Sequence, residues 1–153
     1  GDTLSIPLSI QSQTAHNFPS GTSFNREAWI EIQVTNNSNL LYESGVVENH
    51  EDLNYNDNDL LVFKSYLYDD DNNLTHNVTE VDSMVNYSLT PYQTRYKYYK
   101  IHIPDNIEGE VLVSARLLFR SFSPSFILDH HPEFINNLPI FEVDSISRIV
   151  NIE

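Results

Sequence analysis

Six histidines are the side chains of this sequence best suited to bind a metal. One of them, His16, lies in the segment Thr14-Ala15-His16-Asn17-Phe18-Pro19-Ser20-Gly21, where a proline and a glycine restrict the conformation of the loop. An imidazole held on such a loop is suited to be an axial ligand of a metal or of a haem iron. The simpler alternative is a loop histidine whose ring is hydrogen-bonded to the backbone.

The other histidines lack the spacing of a metal site. No pair has the separation of a helical zinc site, and the adjacent His130 and His131 would diverge by about 100° on a helix. We expect these two to be surface or capping residues. His102 alternates with Ile101 and Ile103, so we expect it to face solvent from a strand.

An acidic loop offers oxygen ligands of the kind that Ca²⁺ prefers. Asp69, Asp71 and Asn73 stand at the first, third and fifth positions of a loop in which Glu80 is the twelfth. Leu74 occupies the sixth position, where an EF-hand requires glycine for its sharp turn. The pattern therefore predicts a looser Ca²⁺ site, with a solvated hairpin tip as the alternative.

The sequence contains none of the segments typical of common enzyme sites. The four glycines are isolated, so there is no phosphate-binding loop, and no G-x-S-x-G segment supports a serine nucleophile. The absence of cysteine removes thiol chemistry. We therefore expect a protein that is not an enzyme, and a hydrolase on a β-sandwich is the least supported alternative.

Composition excludes several further classes of protein. The chain has 153 residues and a net charge of -14, from 22 acidic and 8 basic residues, which argues against binding to nucleic acid. Without cysteine it has no disulfides and cannot attach a c-type haem covalently. No apolar run approaches the ~20 residues that span a bilayer, and no leader segment is present, so an exported form would already have lost its signal.

Charge is distributed unevenly along the chain. Half of the acidic residues, 11 of 22, fall between residues 43 and 82, a stretch in which Lys64 is the single base. Five of the eight bases fall between residues 94 and 120. If the strands in that second region pair with each other, they form a basic stripe opposite an acidic rim.

Period-two alternation of apolar and polar residues dominates the chain and indicates β-strands. Such runs occupy residues 4–10, 28–34, 40–44, 60–68, 94–103 and 111–120, and a last run ends at 152 and begins at about 140 or at 145. Pro7 places the first run at a sheet edge, because proline cannot donate to a central ladder. One short helical segment is predicted near 124–137, and Pro132 should end or kink it. The pattern favours an all-β fold, an immunoglobulin-like two-sheet sandwich with about seven or eight strands in a single domain over 1–153.

Two sets of short motifs, near the two ends of the chain, resemble a known family. The first set comprises the 15–21 loop, Arg26, Ala28-Trp29 and the segment Leu41-Tyr42-Glu43-Ser44-Gly45. The second comprises Arg120-Ser121-Phe122-Ser123-Pro124-Ser125-Phe126 and Leu138-Pro139-Ile140-Phe141-Glu142-Val143. In their order and spacing they resemble the β-sandwich domain that follows the haem-binding region in bacterial multihaem c-type cytochromes.

The resemblance implies a non-catalytic accessory domain in an electron-transfer system. It makes His16 the candidate axial ligand of a haem c held by another segment or chain, and Phe18, Pro19 and Trp29 the candidates for packing against the haem edge. Tyr96, Tyr98 and Tyr99 could contribute to the same contact. For Trp29 and these tyrosines, the alternative is packing in the core or on a sheet face. The expected partner is a haem-bearing cytochrome region or subunit, and the expected location is the periplasm or the cell exterior.

The sequence departs from the family pattern in two places. Ala15 replaces the usual glycine before the histidine, and no C-x-x-C-H motif is present. The haem would therefore lie in a missing part of the same protein or in a partner chain, unless the domain is used without haem. The alternative function is an extracellular adhesive, filament or carbohydrate-binding module stabilised by Ca²⁺.

Overall fold

The structure, a computed structural model, describes residues 2–48 and 50–152, with the side chain of Asp2 left out of that description. Within these residues, ten strands form three antiparallel sheets and two short helices follow the ninth strand. The all-β fold expected from the alternating pattern is confirmed. The structure has ten strands in three sheets where the sequence predicted two sheets with about seven or eight strands, because residues 65–86 form an additional small sheet.

The largest sheet has five strands and carries most of the core. These strands are β2 (Glu27–Asn36), β3 (Asn39–Ser44), β4 (Leu61–Phe63), β9 (Gly109–Arg120) and β10 (Phe141–Ile152). Their order is β10-β9-β2, and the far edge of β2 pairs with both β3 and β4. The expected final strand is confirmed, beginning at Phe141.

The second sheet has two strands, β1 (Asp2–Gln11) and β8 (Thr94–Ile103), paired over their full lengths. Pro7 lies opposite Tyr98, and in the described part of the chain β1 pairs with β8 alone, so the expected edge position of Pro7 is confirmed. Because β8 and β9 belong to different sheets, the basic stripe conditional on their pairing does not form.

The third sheet contains β5 (Ser65–Tyr68), β6 (Leu74–Thr75) and β7 (Ser83–Asn86). The single strand expected over 60–68 is therefore wrong, because the chain leaves the large sheet at Lys64 and enters the small one. Strands β6 and β7 are short and largely exposed, so they bury too few apolar residues to produce an alternating pattern in the sequence.

The helical segment predicted near 124–137 is divided into two short helices just before Pro132. Helix α1 (Pro124–His130) is capped by Ser123, whose side chain accepts a hydrogen bond from the Phe126 amide. A 3₁₀ helix (Pro132–Asn137) follows. Proline at position 132 has no amide hydrogen to continue the α-helical ladder, which explains the break.

The core lies between the large sheet and the β1–β8 sheet. Apolar side chains of β2 and β9 face apolar side chains of β8: Ile32, Val34, Val111, Val113 and Ala115 pack with Tyr99, Ile101 and Ile103. Ile30, Ile32 and Val34, which alternation places on one face of β2, are all buried. The opposite face of β2 is also covered, since Trp29 packs with Leu53 and Leu118 in a separate cluster.

Candidate functional site

The loop that carries His16 joins β1 to β2 and is tied to the connection between β7 and β8. Phe18 and Leu89 form an antiparallel bridge in which each backbone amide donates to the other's carbonyl oxygen at 2.8 Å. The Ser12 amide donates to the Gln93 carbonyl oxygen at 2.9 Å. Two separate backbone attachments therefore hold the loop, which supports the expectation that it has a fixed shape.

Side chains reinforce the same loop. The half-buried Phe18 ring packs against the core cluster that contains Leu89, and its centroid lies 6.3 Å from that of Phe119. Pro19 is almost fully buried. On the far side of the loop, Arg26 Nη1 donates to the Ser20 carbonyl oxygen at 2.6 Å.

His16 lies between the Ser12 and Phe18 attachments of this loop, and its side chain is exposed. Its Nδ1 lies 2.9 Å from the Asn17 carbonyl oxygen, which can only accept a hydrogen bond, so Nδ1 carries the proton in the neutral ring. The Nε2 atom then keeps its lone pair, and it makes no hydrogen bond to the residues that the structure describes. A backbone hydrogen bond of this kind selects the tautomer that ligates metal through Nε2.

The structure separates the residues expected to line a haem edge. Phe18 and Pro19 neighbour His16 in the loop, but Trp29 has no exposed surface. Its indole Nε1 donates to the Gly45 carbonyl oxygen at 2.8 Å, and the Arg120 guanidinium lies 5.2 Å from its ring centroid. Trp29 is therefore a core residue on the covered face of β2, and it offers no surface for a haem to contact.

The acidic loop expected to bind Ca²⁺ forms the turn between β5 and β6 and the segment after it. Asp69 Oδ1 accepts from the Asn73 amide at 2.7 Å, and Oδ2 accepts from Asn73 Nδ2 at 3.2 Å. Glu80 lies in a later turn, where its amide donates to the Asn77 carbonyl oxygen. Across residues 2–48 and 50–152, no group of three or more His, Asp or Glu side chains is assembled for a metal, so the geometry gives the Ca²⁺ site no support.

A buried charged cluster was not predicted from the sequence. Lys64 Nζ donates to Glu27 Oε1 at 2.6 Å, and Arg120 Nε donates to Glu27 Oε2 at 2.8 Å. All three side chains are almost fully buried. Tyr55 adds a hydrogen bond from its hydroxyl to Glu27 Oε1 at 3.0 Å. One carboxylate therefore pairs with two cations in the interior.

The two cations keep Glu27 ionised. Burial raises the pKa of the Glu27 carboxyl, but the charges and hydrogen bonds of Lys64 and Arg120 outweigh burial and hold the pKa below its ordinary value. Burial also raises the pKa of the Tyr66 phenol to about 12, and the pKa of His76 is lowered because burial disfavours the imidazolium. The Tyr66 and His76 side chains are therefore neutral, and they line the same cleft as the charged side chains of Glu27 and Lys64.

The cleft lined by these side chains is open to solvent and has a volume of about 470 Å³. It lies between the small sheet and α1, and its rim includes Tyr68 and Asp52. The sequence did carry one signal for this region: Lys64 is the only base in the acidic stretch and interrupts an apolar run. Nothing in the local pattern indicated that Glu27, at the start of β2, would lie inside.

Comparison with known proteins is consistent with the expected fold. No protein-family model and no curated protein matches the sequence. The structure is similar to the crystal structure of a penta-heme cytochrome c552 from Thermochromatium tepidum, with a TM-score of 0.73 and 18% sequence identity. The match covers 97% of this chain but only 36% of that chain. At this identity the likeness shows the fold alone: the chain has a β-rich fold that also occurs within a multihaem cytochrome.

The described helices give no membrane segment. None of them is long and apolar enough to cross a bilayer.

Proposed function

We propose that this chain is a non-catalytic accessory domain of a multihaem cytochrome electron-transfer system, located in the periplasm or outside the cell. It would support a haem-bearing segment or partner chain and offer that partner a docking surface. The observation that carries the proposal is the fold, which matches part of a penta-heme cytochrome over 97% of this chain. Because the chain spans 36% of that protein, the match leaves room for a haem region outside the domain.

His16 is the residue proposed to face the haem. The exposed ring, the proton on Nδ1 and the anchored loop together fit a neutral imidazole ligand that approaches iron through Nε2. The haem c itself would be attached elsewhere, since this chain has no cysteine. Such a haem supplies the one-electron chemistry, while the chain supplies the ligand atom and holds its orientation.

Phe18 and Pro19 have a supporting role in this proposal. Both pack against the core, so they fix the backbone on which His16 stands. The bridge between Phe18 and Leu89 resists displacement of the loop when a partner docks. The loop is therefore organised before binding, which lowers the cost of forming the ligand bond.

A haem c peptide with one open axial position on its iron tests the ligand role. Added to the chain, it should give the low-spin spectrum of a second histidine ligand. The His16→Ala variant should not produce that spectrum. His102→Ala is the matched control, because His102 is also exposed but lies on β8, and it should behave like the unaltered chain. An identical spectrum from His16→Ala would overturn the role of His16.

A second candidate function rests on the tyrosine-lined cleft. Tyr55, Tyr66 and Tyr68 surround polar groups of Glu27 and Lys64, which is the mixture of aromatic faces and polar atoms found in small-molecule sites. This arrangement favours the alternative of a carbohydrate-binding module. Calorimetric titration with a panel of oligosaccharides tests it, and heat of binding that disappears in Tyr66→Ala would support it.

A further inference from the structure

The free edge of β10 is the largest unpaired backbone edge on the large sheet. In the described part of the chain, this twelve-residue strand pairs with β9 alone. It also exposes apolar side chains: Val143, Ile146 and Ile149 are 49%, 46% and 61% accessible. A long edge strand with exposed apolar residues is a template for pairing with another strand.

Two edge strands of the sandwich, β1 and β10, differ in how they are protected. Strand β1 carries Pro7, which cannot donate to an added strand. Strand β10 contains no proline, and its one irregularity is a bulge between Glu142 and Asp144, close to its start. The regular part of β10, from Asp144 onward, is therefore open to pairing.

A cavity lies beside this edge. It has a volume of about 270 Å³ and is lined mainly by apolar side chains, Leu4, Ile6 and Leu8 from β1 and Ile146 and Val150 from β10. Because successive side chains of a strand point to opposite faces, a strand added to β10 would direct alternate side chains into this cavity.

The sequence at the centre of β10 is complementary to itself. Asp144-Ser145-Ile146-Ser147-Arg148 reads acid, serine, isoleucine, serine, base. We propose that β10 pairs antiparallel with β10 of a second copy of this chain, about a two-fold axis at Ile146. The interface is then the same patch on both copies, as closed two-fold symmetry requires.

This register brings matching side chains opposite each other. Ile146 faces Ile146 of the second copy, and Asp144 faces Arg148 of the second copy, so the two-fold axis creates two opposite-charge pairs. A shift of two residues in one direction places Ile146 opposite Asp144, and in the other direction opposite Arg148. Only the central register pairs Asp144 with Arg148 and places the two isoleucines together. In the first shifted register Arg148 would face Glu142, which lies across the bulge and already pairs with Arg116 of its own copy, so the central register is favoured.

Within one copy, both charges are available for this pairing. Asp144 Oδ1 accepts from the neighbouring Ser145 amide, and Arg148 Nη1 donates to the neighbouring Ser147 carbonyl oxygen. Among the described residues, neither side chain makes an ion pair. Exposed pairs add little energy, so the added backbone ladder and the burial of Ile146 supply the affinity while the charges set the register.

Sedimentation equilibrium of the chain over a concentration series tests the proposal, which does not depend on haem binding. The unaltered chain should show a monomer–dimer equilibrium. Asp144→Arg and Arg148→Asp should each be monomeric, because each places like charges opposite each other. An equimolar mixture of the two variants should form a heterodimer, since both opposite-charge pairs are then restored.

The mixture separates specific pairing from a general effect of either substitution, because a merely damaged strand would not recover. Circular dichroism of each single variant checks that the fold is retained. Monomers at every concentration for the unaltered chain would overturn the proposal, as would single variants that dimerise unchanged or a mixture that stays monomeric. If the chain stays monomeric but binds a synthetic strand peptide of a cytochrome partner at this edge, β10 pairs with a different protein. That result would also overturn the proposal.

Discussion

Arg120 donates through Nε to Glu27 Oε2 at 2.8 Å across the pair of strands in which the two residues stand directly opposite. Both side chains are buried, and Lys64 contacts the other oxygen of the same carboxylate. The two buried cations have a counter-charge only while the Glu27 carboxyl stays ionised. The cluster therefore governs how the protein responds to substitution and to acid.

Glu27→Gln should destabilise the chain by about 3–5 kcal/mol, because it leaves two buried cations without a counter-charge. Urea unfolding followed by the fluorescence of the single tryptophan measures the change. Lys64→Met should cost clearly less, since Glu27 and Arg120 still balance each other. Equal costs for the two substitutions would contradict the arrangement.

Glu31→Gln provides a matched control on the same strand. Glu31 also stands opposite an arginine, Arg116, and the two groups lie 2.7 Å apart. The Arg116 side chain is 46% exposed, however, so water can solvate it when its partner is lost. We expect a loss of about 1 kcal/mol or less for this pair.

Acidification should lower the free energy of unfolding, because protonation of Glu27 removes the counter-charge of Lys64 and Arg120. Its pKa in the folded chain lies below the ordinary value of 4.5, so its contribution is complete above that value and is lost as the pH falls through the lower folded pKa. The free energy of unfolding, measured in urea at a series of pH values, should fall more steeply below about pH 4.5 in the unaltered chain than in Glu27→Gln. Parallel curves would show that Glu27 does not contribute to the acid response.

Gly45→Ala should be among the most damaging small substitutions. Gly45 has a φ of +71°, and a Cβ there would collide with the Ile30 carbonyl oxygen while the Gly45 carbonyl must still accept from Trp29. Gly109→Ala is the control, because its φ is +84° but no atom lies within 4 Å of the added Cβ. Thermal melts should show a loss of about 1–2 kcal/mol for Gly109→Ala, the cost of the left-handed conformation, and a larger loss for Gly45→Ala.

Calcium should leave the melting temperature unchanged. Both carboxylate oxygens of Asp69 already accept hydrogen bonds from Asn73. Among the described residues, no group of three or more His, Asp or Glu side chains is placed to bind a metal. Melts in Ca²⁺ and in chelator should therefore coincide. A Ca²⁺-dependent rise that is lost in Asp71→Ala would instead favour the extracellular alternative, because a ligand that binds the folded state stabilises it.

Alternation and proline chemistry predicted much of the fold. The runs that became β1, β2, β8 and β9 each carry a period-two apolar face, and Pro132 divides the helical segment as its missing amide hydrogen requires. These features depend on local backbone chemistry, so a sequence is sufficient to reveal them.

The features that the sequence did not predict depend on contacts between segments that are far apart in the chain. Trp29 and Glu27 lie on the face of β2 that alternation assigns to solvent, yet the segment containing Leu53 covers that face. The loop of His16 could be recognised from its residues, whereas its attachment to Leu89 joins positions far apart in the chain. Local patterns contain no information about such contacts.

The change of sheet at Lys64 has a consequence for local opening. The small sheet of β5, β6 and β7 buries few apolar side chains, and its links to the rest of the fold include the ion pair of Lys64 with Glu27 and the hydrogen bond from the Ser65 amide to the Ser23 carbonyl oxygen. Its amides should therefore exchange with solvent in partial openings that leave β2 and β9 protected. We therefore expect two cooperative units of unequal stability, with the tyrosine-lined cleft at their boundary.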